Sequence, residues 1–282
     1  MKTTQELLSR STGTEKTGQK LIETKIYDTL IKAVRKKLIG RRYIAITMGP
    51  EQCPGSSVDF DLQTADTMEI EKVAEGAEVP IDAEEYSTFN IKPVKYGIRI
   101  TITNEMREDA KWDILRYNIE TAGYKFAENE DDLFVDQLDA ANTAAGHTVS
   151  GSGAITIDNI TEAQKNIRDD KMDPDVFLFG SEIYKDLQNI DTFMEADKWG
   201  NRDTLETGFV NHFLNMDFVF SHSVTSTHAY AFDSRHAMIL VEKRPLTMKE
   251  YDDPVRDMKG IVITQRIKYR YLRANAVSKI TT

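Results

Sequence analysis

The side chains best suited to chemistry in this 282-residue chain fall into two groups. Glu128, Glu130, Asp131 and Asp132 cluster in one stretch, and clustered carboxylates can hold a metal ion or exchange protons. No histidine and no glycine-turned loop stands near them, so the pattern reads as a solvated helix face. His212, His222, His228 and His236 form the second group, at spacings of ten, six and eight. No common pair of metal ligands has those spacings, and no cysteine joins them. The single cysteine, Cys53, lies in a proline-flanked turn (GPEQCPGSS) and reads as an incidental thiol. It excludes an internal disulfide and fits a reducing compartment. GSG at 151–153 lacks the rest of a dinucleotide fingerprint, and no nucleophile elbow, Walker loop, HExxH or zinc knuckle occurs. The expectation is a protein that is not an enzyme and carries no metal or cofactor.

The elements around these groups point elsewhere. Segments 56–72 and 84–103 are strand-like, and a long helix is expected from Glu108 to Leu138. Tyr96, Ile98, Ile100 and Ile102 share one face of the second strand, with Arg99, Thr101 and Thr103 on the other. The tip between the strands, VAEGAEVPID at 73–82, is small, acidic and poor in bulky apolar residues. A two-stranded ribbon this long cannot bury its own apolar side chains and is marginal alone in water. It needs a surface outside its own domain, which points to assembly.

Composition sets the remaining limits. Apolar residues make up 40% and charged residues 29%, ordinary for a globular protein. No window approaches 18 consecutive apolar residues, and the first twenty residues lack the apolar run of a secretion signal. The net charge of −10 is unevenly spread. Residues 1–50 hold eleven Lys/Arg against four Asp/Glu, or +7, whereas residues 51–95 hold three against eleven, or −8. A basic arm followed by an acidic ribbon suits electrostatic complementarity between copies, although two solvated surfaces of opposite sign would read the same way.

Elsewhere the chain alternates helix and strand. Ile22, Ile26, Leu30, Val34 and Leu38 recur every four residues in an amphipathic helix from about Thr17, ended by Gly40. RRYIAITM at 41–48 reads as a strand. Residues 139–154 (DAANTAAGHTVSGSGA) read as a small-residue linker and domain boundary. Asp158 or Asn159 is expected to cap a helix through Arg168, VFLF at 176–179 to be a buried strand, and Ser181 to cap the helix SEIYKDLQ. A long loop around Trp199 follows, then strands near 216–221, 228–232 and 236–242. A last strand alternates Ile261, Ile263, Ile267, Tyr269 and Tyr271 with Thr264, Arg266, Lys268 and Arg270.

In this order the parts resemble a known family. KVAEGAEVPIDAEEYSTFNIKPVKYGIRITITNEMREDAKWDIL resembles the extended loop and spine helix of tailed-virus major capsid proteins of the Hong Kong 97 type. DPDVFLFGSEIYKDLQ resembles the axial-domain βα unit of that fold, and AFDSRHAMILVEKRPLTMKEYDDPVRDMKGIVITQRIKYRYLRANAVSKI its return through the peripheral domain. The first helix and LIGRRYIAITMGP also resemble encapsulins, the nanocompartment branch. The resemblance implies an α+β capsid fold with an N-terminal arm and helix (1–49), an extended β-ribbon loop (50–103), a peripheral domain with spine helix (104–150), an axial domain (151–245) and peripheral return strands (246–282).

It also implies a function. The expected protein is a major capsid protein that builds pentamers and hexamers of an icosahedral shell around viral double-stranded DNA, held without sequence specificity. It would be assembled in host cytoplasm and located in the virion, with no membrane and with separate scaffolding, portal and decoration proteins as further partners. The alternative is an encapsulin-type shell loading a cargo protein. On placement, Glu75, Glu78, Asp82, Glu84 and Glu85 of the ribbon would meet basic groups on a neighbour. Trp199, Asn201 and Arg202 would meet their copies about the capsomer axis. Genome contact would fall to Arg35, Lys36, Lys37, Arg41 and Arg42, although cations at a helix C-terminus also suit its dipole. Some members of the family cross-link through a loop lysine, an asparagine and a glutamate. The tip 73–82 has no Lys, and 256–266 has neither Asn nor Glu, so no cross-link is expected. The short polar arm leads to the expectation of no fused scaffolding domain.

Overall fold

Segment 84–103 reads as one strand, but the chain makes two of it, turning at Lys92 and Pro93. The computed structural model describes residue 30 and residues 38–65, 72–73, 85–109, 114–151, 153–190 and 212–282. In chain order the strands are β1 (Ile46–Met48), β2 (Val58–Ala65), β3 (Glu85–Ile91), β4 (Val94–Thr103), β5 (Thr148–Ser150), β6 (Val176–Phe179), β7 (His212–Phe213), β8 (Met216–Phe220), β9 (His228–Phe232), β10 (Met238–Asp253), β11 (Met258–Tyr271) and β12 (Val277–Thr281). The helices are α1 (Asn104–Asp109), α2 (Ile114–Ala145), α3 (Ile157–Asp169) and α4 (Ser181–Asn189).

Pro93 has no N–H to give a ladder, so a fully paired strand cannot run through it. β3 therefore pairs with β2 as the ribbon, while β4 enters a four-stranded sheet of order β1-β10-β11-β4. β10 and β11 form its long antiparallel hairpin, and β1 joins β10 in parallel. A six-stranded sheet of order β5-β12-β9-β6-β8-β7 forms the second centre. All four residues of β6 are buried, as a central strand covered on both faces requires.

The 32-residue helix α2 joins the two centres. Its first half lays Ile119, Ala122 and Phe126 against Ile100, Ile261 and Ile263 of the four-stranded sheet. Leu30 is helical and fully buried in the same cluster. The second half sends Phe134, Leu138 and Ala141 into the core of the six-stranded sheet, with Phe177, Phe179, Tyr230 and Phe232. Each of the Ile, Leu and Phe side chains among these, fully buried, contributes roughly 1.5–3 kcal/mol.

Several sequence expectations need correction. The helix does not end at Leu138 but runs to Ala145, so the first seven residues of the expected 139–154 linker are helix. Alanines favour that continuation, and Ala141 and Asn142 are buried. The strand expected over 41–48 is a 3-10 turn at Gly40–Tyr43 followed only by β1. α3 is capped by Thr156, whose hydroxyl accepts from the Asn159 amide N–H, so neither Asp158 nor Asn159 is the cap residue. α4 has Gly180 at its cap, and Ser181 lies inside. The strand expected to end at 242 continues to Asp253, so a division at 245/246 cuts through β10. β12 returns to the six-stranded sheet beside β5 and β9.

Candidate assembly surface

Among the described residues, the ribbon packs on the rest of the chain at its base. Cys53, Ile91, Ile239 and Val241 form a small buried cluster, with Met48, Val58, Phe60, Phe89 and Leu272 packed against it. Phe60 and Phe89 stack across the strands with centroids 5.6 Å apart. Thr88 donates to Asp61 at 2.5 Å and Asn90 donates to Asp59, both on exposed ground. Further out Tyr86 is 70% exposed, so a large ring stands in water on a strand without a core beneath it. Burial raises the Cys53 thiol above its ordinary value, with Lys243 acting the other way.

A buried polar node holds the chain entering β1 onto α2. Asp131 accepts from the backbone amides of Ile39 at 3.0 Å and Gly40 at 2.9 Å. Gly40 fits closely there: a Cβ would come within 3.0 Å of the Phe134 ring. Next to it, Arg41 donates to Glu130 and pairs with Glu242 at 2.5 Å, and the Tyr269 hydroxyl donates to Glu130 at 2.7 Å. Glu130 is 1% and Asp131 6% exposed. Burial, partly offset by the two amides and reinforced by neighbouring carboxylates, pushes Asp131 up to about 6. Burial would lower Arg41, but Glu130 and Glu242 more than offset it and hold it cationic. Burial and then the Glu130 charge raise Tyr269 well above its usual value.

The expectation of a solvated carboxylate face is thus half wrong: Glu128 and Asp132 are exposed, Glu130 and Asp131 are not. A signal was there. Glu130 stands four residues after Phe126 and four before Phe134, on the apolar stripe itself.

A second node fixes the far end of α2. Asp139 accepts from Lys279 Nζ at 2.7 Å and from the Tyr230 hydroxyl at 3.1 Å. Asn142 donates to Thr148 and accepts from the Lys279 amide at 3.0 Å. Burial would raise Asp139, but the bond and charge of Lys279 bring it below the ordinary value. Burial and then Lys279 depress His228. The other three histidines of the 212–236 stretch each have a different partner. His212 is 3.1 Å from Asp217, His236 is 2.9 Å from Asp233, and His222 meets the Phe220 ring edge-on. Among the described residues no group of three or more His, Cys, Asp or Glu is arranged to hold a metal ion, and no helix is long and apolar enough to cross a membrane.

Of the ribbon acids, Glu75, Glu78, Asp82 and Glu84 lie outside the described residues, and Glu85 opens β3 opposite Ala65. Trp199, Asn201, Arg202, Arg35, Lys36 and Lys37 also lie outside them. Arg41 pairs with Glu130 and Glu242 of its own subunit and keeps about a third of its side chain exposed. Arg42 is exposed, with its guanidinium 5.5 Å from the Tyr43 ring centre.

The family described as phage capsid protein matches residues 85–278, more than half of the chain. The chain belongs to that family. Its fold is the Hong Kong 97-type capsid fold, and several solved structures share it at low identity. A structure from Mycobacterium phage Che8 is 17% identical, covers 86% of this chain and 90% of its own, and gives a TM-score of 0.69. The capsid of cyanophage P-SCSP1u is 13% identical over 86% and 88%, also at 0.69. The virus-like particle from Pyrococcus furiosus is 11% identical over 91% and 98%, at 0.60. No curated protein matches the sequence. As a phage capsid protein the chain is a structural component of the virion shell.

Proposed function

We propose that this capsid protein self-assembles into pentamers and hexamers of an icosahedral shell that encloses double-stranded DNA, without sequence specificity and without catalysis. The observation that carries this is the β2–β3 ribbon, whose described residues pack on the rest of the chain at its base, within a chain of the phage capsid family. In this reading the six-stranded sheet with α3 and α4 is the axial domain, and the four-stranded sheet with the first half of α2 is the peripheral one. The ribbon acids Glu75, Glu78, Asp82, Glu84 and Glu85 meet basic groups on a neighbour. Trp199, Asn201 and Arg202 meet their copies about the capsomer axis. Genome contact falls to Arg35, Lys36, Lys37, Arg41 and Arg42. Assembly takes place in host cytoplasm, with separate scaffolding and portal proteins where the particle needs them. The family match supports the viral reading over the nanocompartment one.

The two buried nodes tie α2 to both sheets. Expression of the chain alone tests the reading, with sedimentation velocity and negative-stain microscopy. Capsomers, tubes or shells are expected; a monomer across all ionic strengths and concentrations would overturn it. Small, uniform, nucleic-acid-free shells that retain a host protein would favour the cargo-loading alternative.

A further inference from the structure

The 3-10 turn at Gly40–Tyr43 opens on Ile39, which has no side-chain oxygen to take the first amides. Asp131 of α2 takes them instead, from Ile39 at 3.0 Å and from Gly40 at 2.9 Å. The neighbouring Glu130 is met differently, by the Arg41 guanidinium and the Tyr269 hydroxyl. Two consecutive residues of one helix thus grip three consecutive residues of another segment, one through a cation and the other through two neutral amides. The grip sits at a junction. Upstream, Leu30 is helical and buried in the cluster under the first half of α2. Downstream, the Ala45 amide donates to the Ser234 carbonyl at 3.2 Å and β1 pairs with β10. The charged and titratable groups facing Asp131 come from four elements. Glu130 and Asp132 flank it on α2, Arg41 lies on the turn, Glu242 stands behind Arg41 on β10, and Tyr269 reaches in from β11. Burial raises the carboxyl most, the two amides lower it, and the adjacent carboxylates raise it again.

We propose that Asp131 is a proton-operated latch: protonated, it holds residues 39–41 on α2, and ionised, it lets that junction open while both sheets stay folded. A neutral carboxyl still offers an oxygen to the two amides, and it carries no charge into a site where it is only 6% exposed. Detached from the turn, the carboxyl meets water and has its ordinary value of 3.8; attached, it stands at about 6. Attachment is therefore strongest below about pH 4 and weakens as pH rises through about 6. Between pH 4 and pH 7.5 the detached fraction is expected to rise roughly fiftyfold. The device gives the chain before β1 a hold on α2 that is tight in acid and loose at neutral pH. It operates within one subunit and does not depend on whether shells form.

Amide exchange on the unassembled subunit, followed by mass spectrometry and corrected for intrinsic rates, reads the latch directly. Protection of a peptide covering residues 38–44 should fall roughly fiftyfold between pH 4 and pH 7.5, and should stay below that of β6 throughout. Asp131→Asn keeps an acceptor for both amides but cannot ionise, and should show no such fall. At pH 7.5 trypsin should cut that variant after Arg41 and Arg42 about tenfold more slowly than the wild type. Wild-type protection that is flat with pH would overturn the proposal. So would a fall of the same size in the Asn variant, which would assign the titration to another group. Exchange of residues 38–44 only together with β6 would also overturn it, because the junction would then open only when the whole subunit unfolds. Should the variant not fold, the wild-type profile still decides.

Discussion

Replacing Asp131 by Asn separates what the buried node contributes from what it costs. The carboxylate takes two backbone amides, from Ile39 and Gly40, but burial raises it from an ordinary 3.8 to about 6. An acid raised on folding contributes stability that is fully present below its unfolded value and is lost as pH rises through its folded value. At pH 7 the ionised folded form therefore carries a cost of up to about 3 kcal/mol relative to pH 3.8. Asn keeps an oxygen for both amides and has no charge at any pH. Asp131→Asn is thus expected to match wild type near pH 4 and to exceed it by up to about 3 kcal/mol at pH 7. Asp131→Ala removes the charge but leaves two amide donors without an acceptor, and near pH 4 should be less stable by about 2 kcal/mol or more. Denaturant unfolding from pH 4 to 8, at concentrations where the subunit is unassembled, reads both. An Asn variant weaker than wild type at pH 7, or a difference that stays flat between pH 4 and 7, would refute the reasoning.

Arg41→Met leaves Glu130 buried with only the Tyr269 hydroxyl, and a loss of about 3–5 kcal/mol is expected in the same unfolding assay. Cys53, 2% exposed and with its thiol raised by burial, should resist a thiol reagent at pH 7 in the folded subunit and react fully in denaturant. Phe89→Ala breaks the stack with Phe60 at the ribbon base and should cost roughly 1–3 kcal/mol, with thiol labelling at Cys53 accelerated before global unfolding. Particles run on reducing denaturing gels should give a single monomer band, because 73–82 lacks Lys and 256–266 lacks Asn and Glu.

Local pattern made the main elements legible. The alternation that buries Ile100 and Ile102, the run at 176–179 and the closing strand from Ile261 all became strands because each buries one face or both. What escaped was set by distant partners. Glu130 and Asp131 look solvated in a run of acids, and become core only because Arg41, Tyr269 and two amides some 90 or more residues away reach them. The break at Pro93 was visible as a proline, but that one half would pair with β2 and the other with β11 depends on a hairpin over 150 residues downstream. The helix through Ala145 escaped because its small residues looked like linker, although Ala favours helix and Asn142 is held by Thr148 and Lys279.

The central claim is that the ribbon lies on a neighbouring copy in a closed shell. An electron cryo-microscopy reconstruction of assembled particles tests it most directly. The account predicts pentamers and hexamers in which density for residues 66–84 crosses to the adjacent subunit. Particles in which that segment folds back on its own subunit, or preparations that yield no ordered assembly at all, would contradict it.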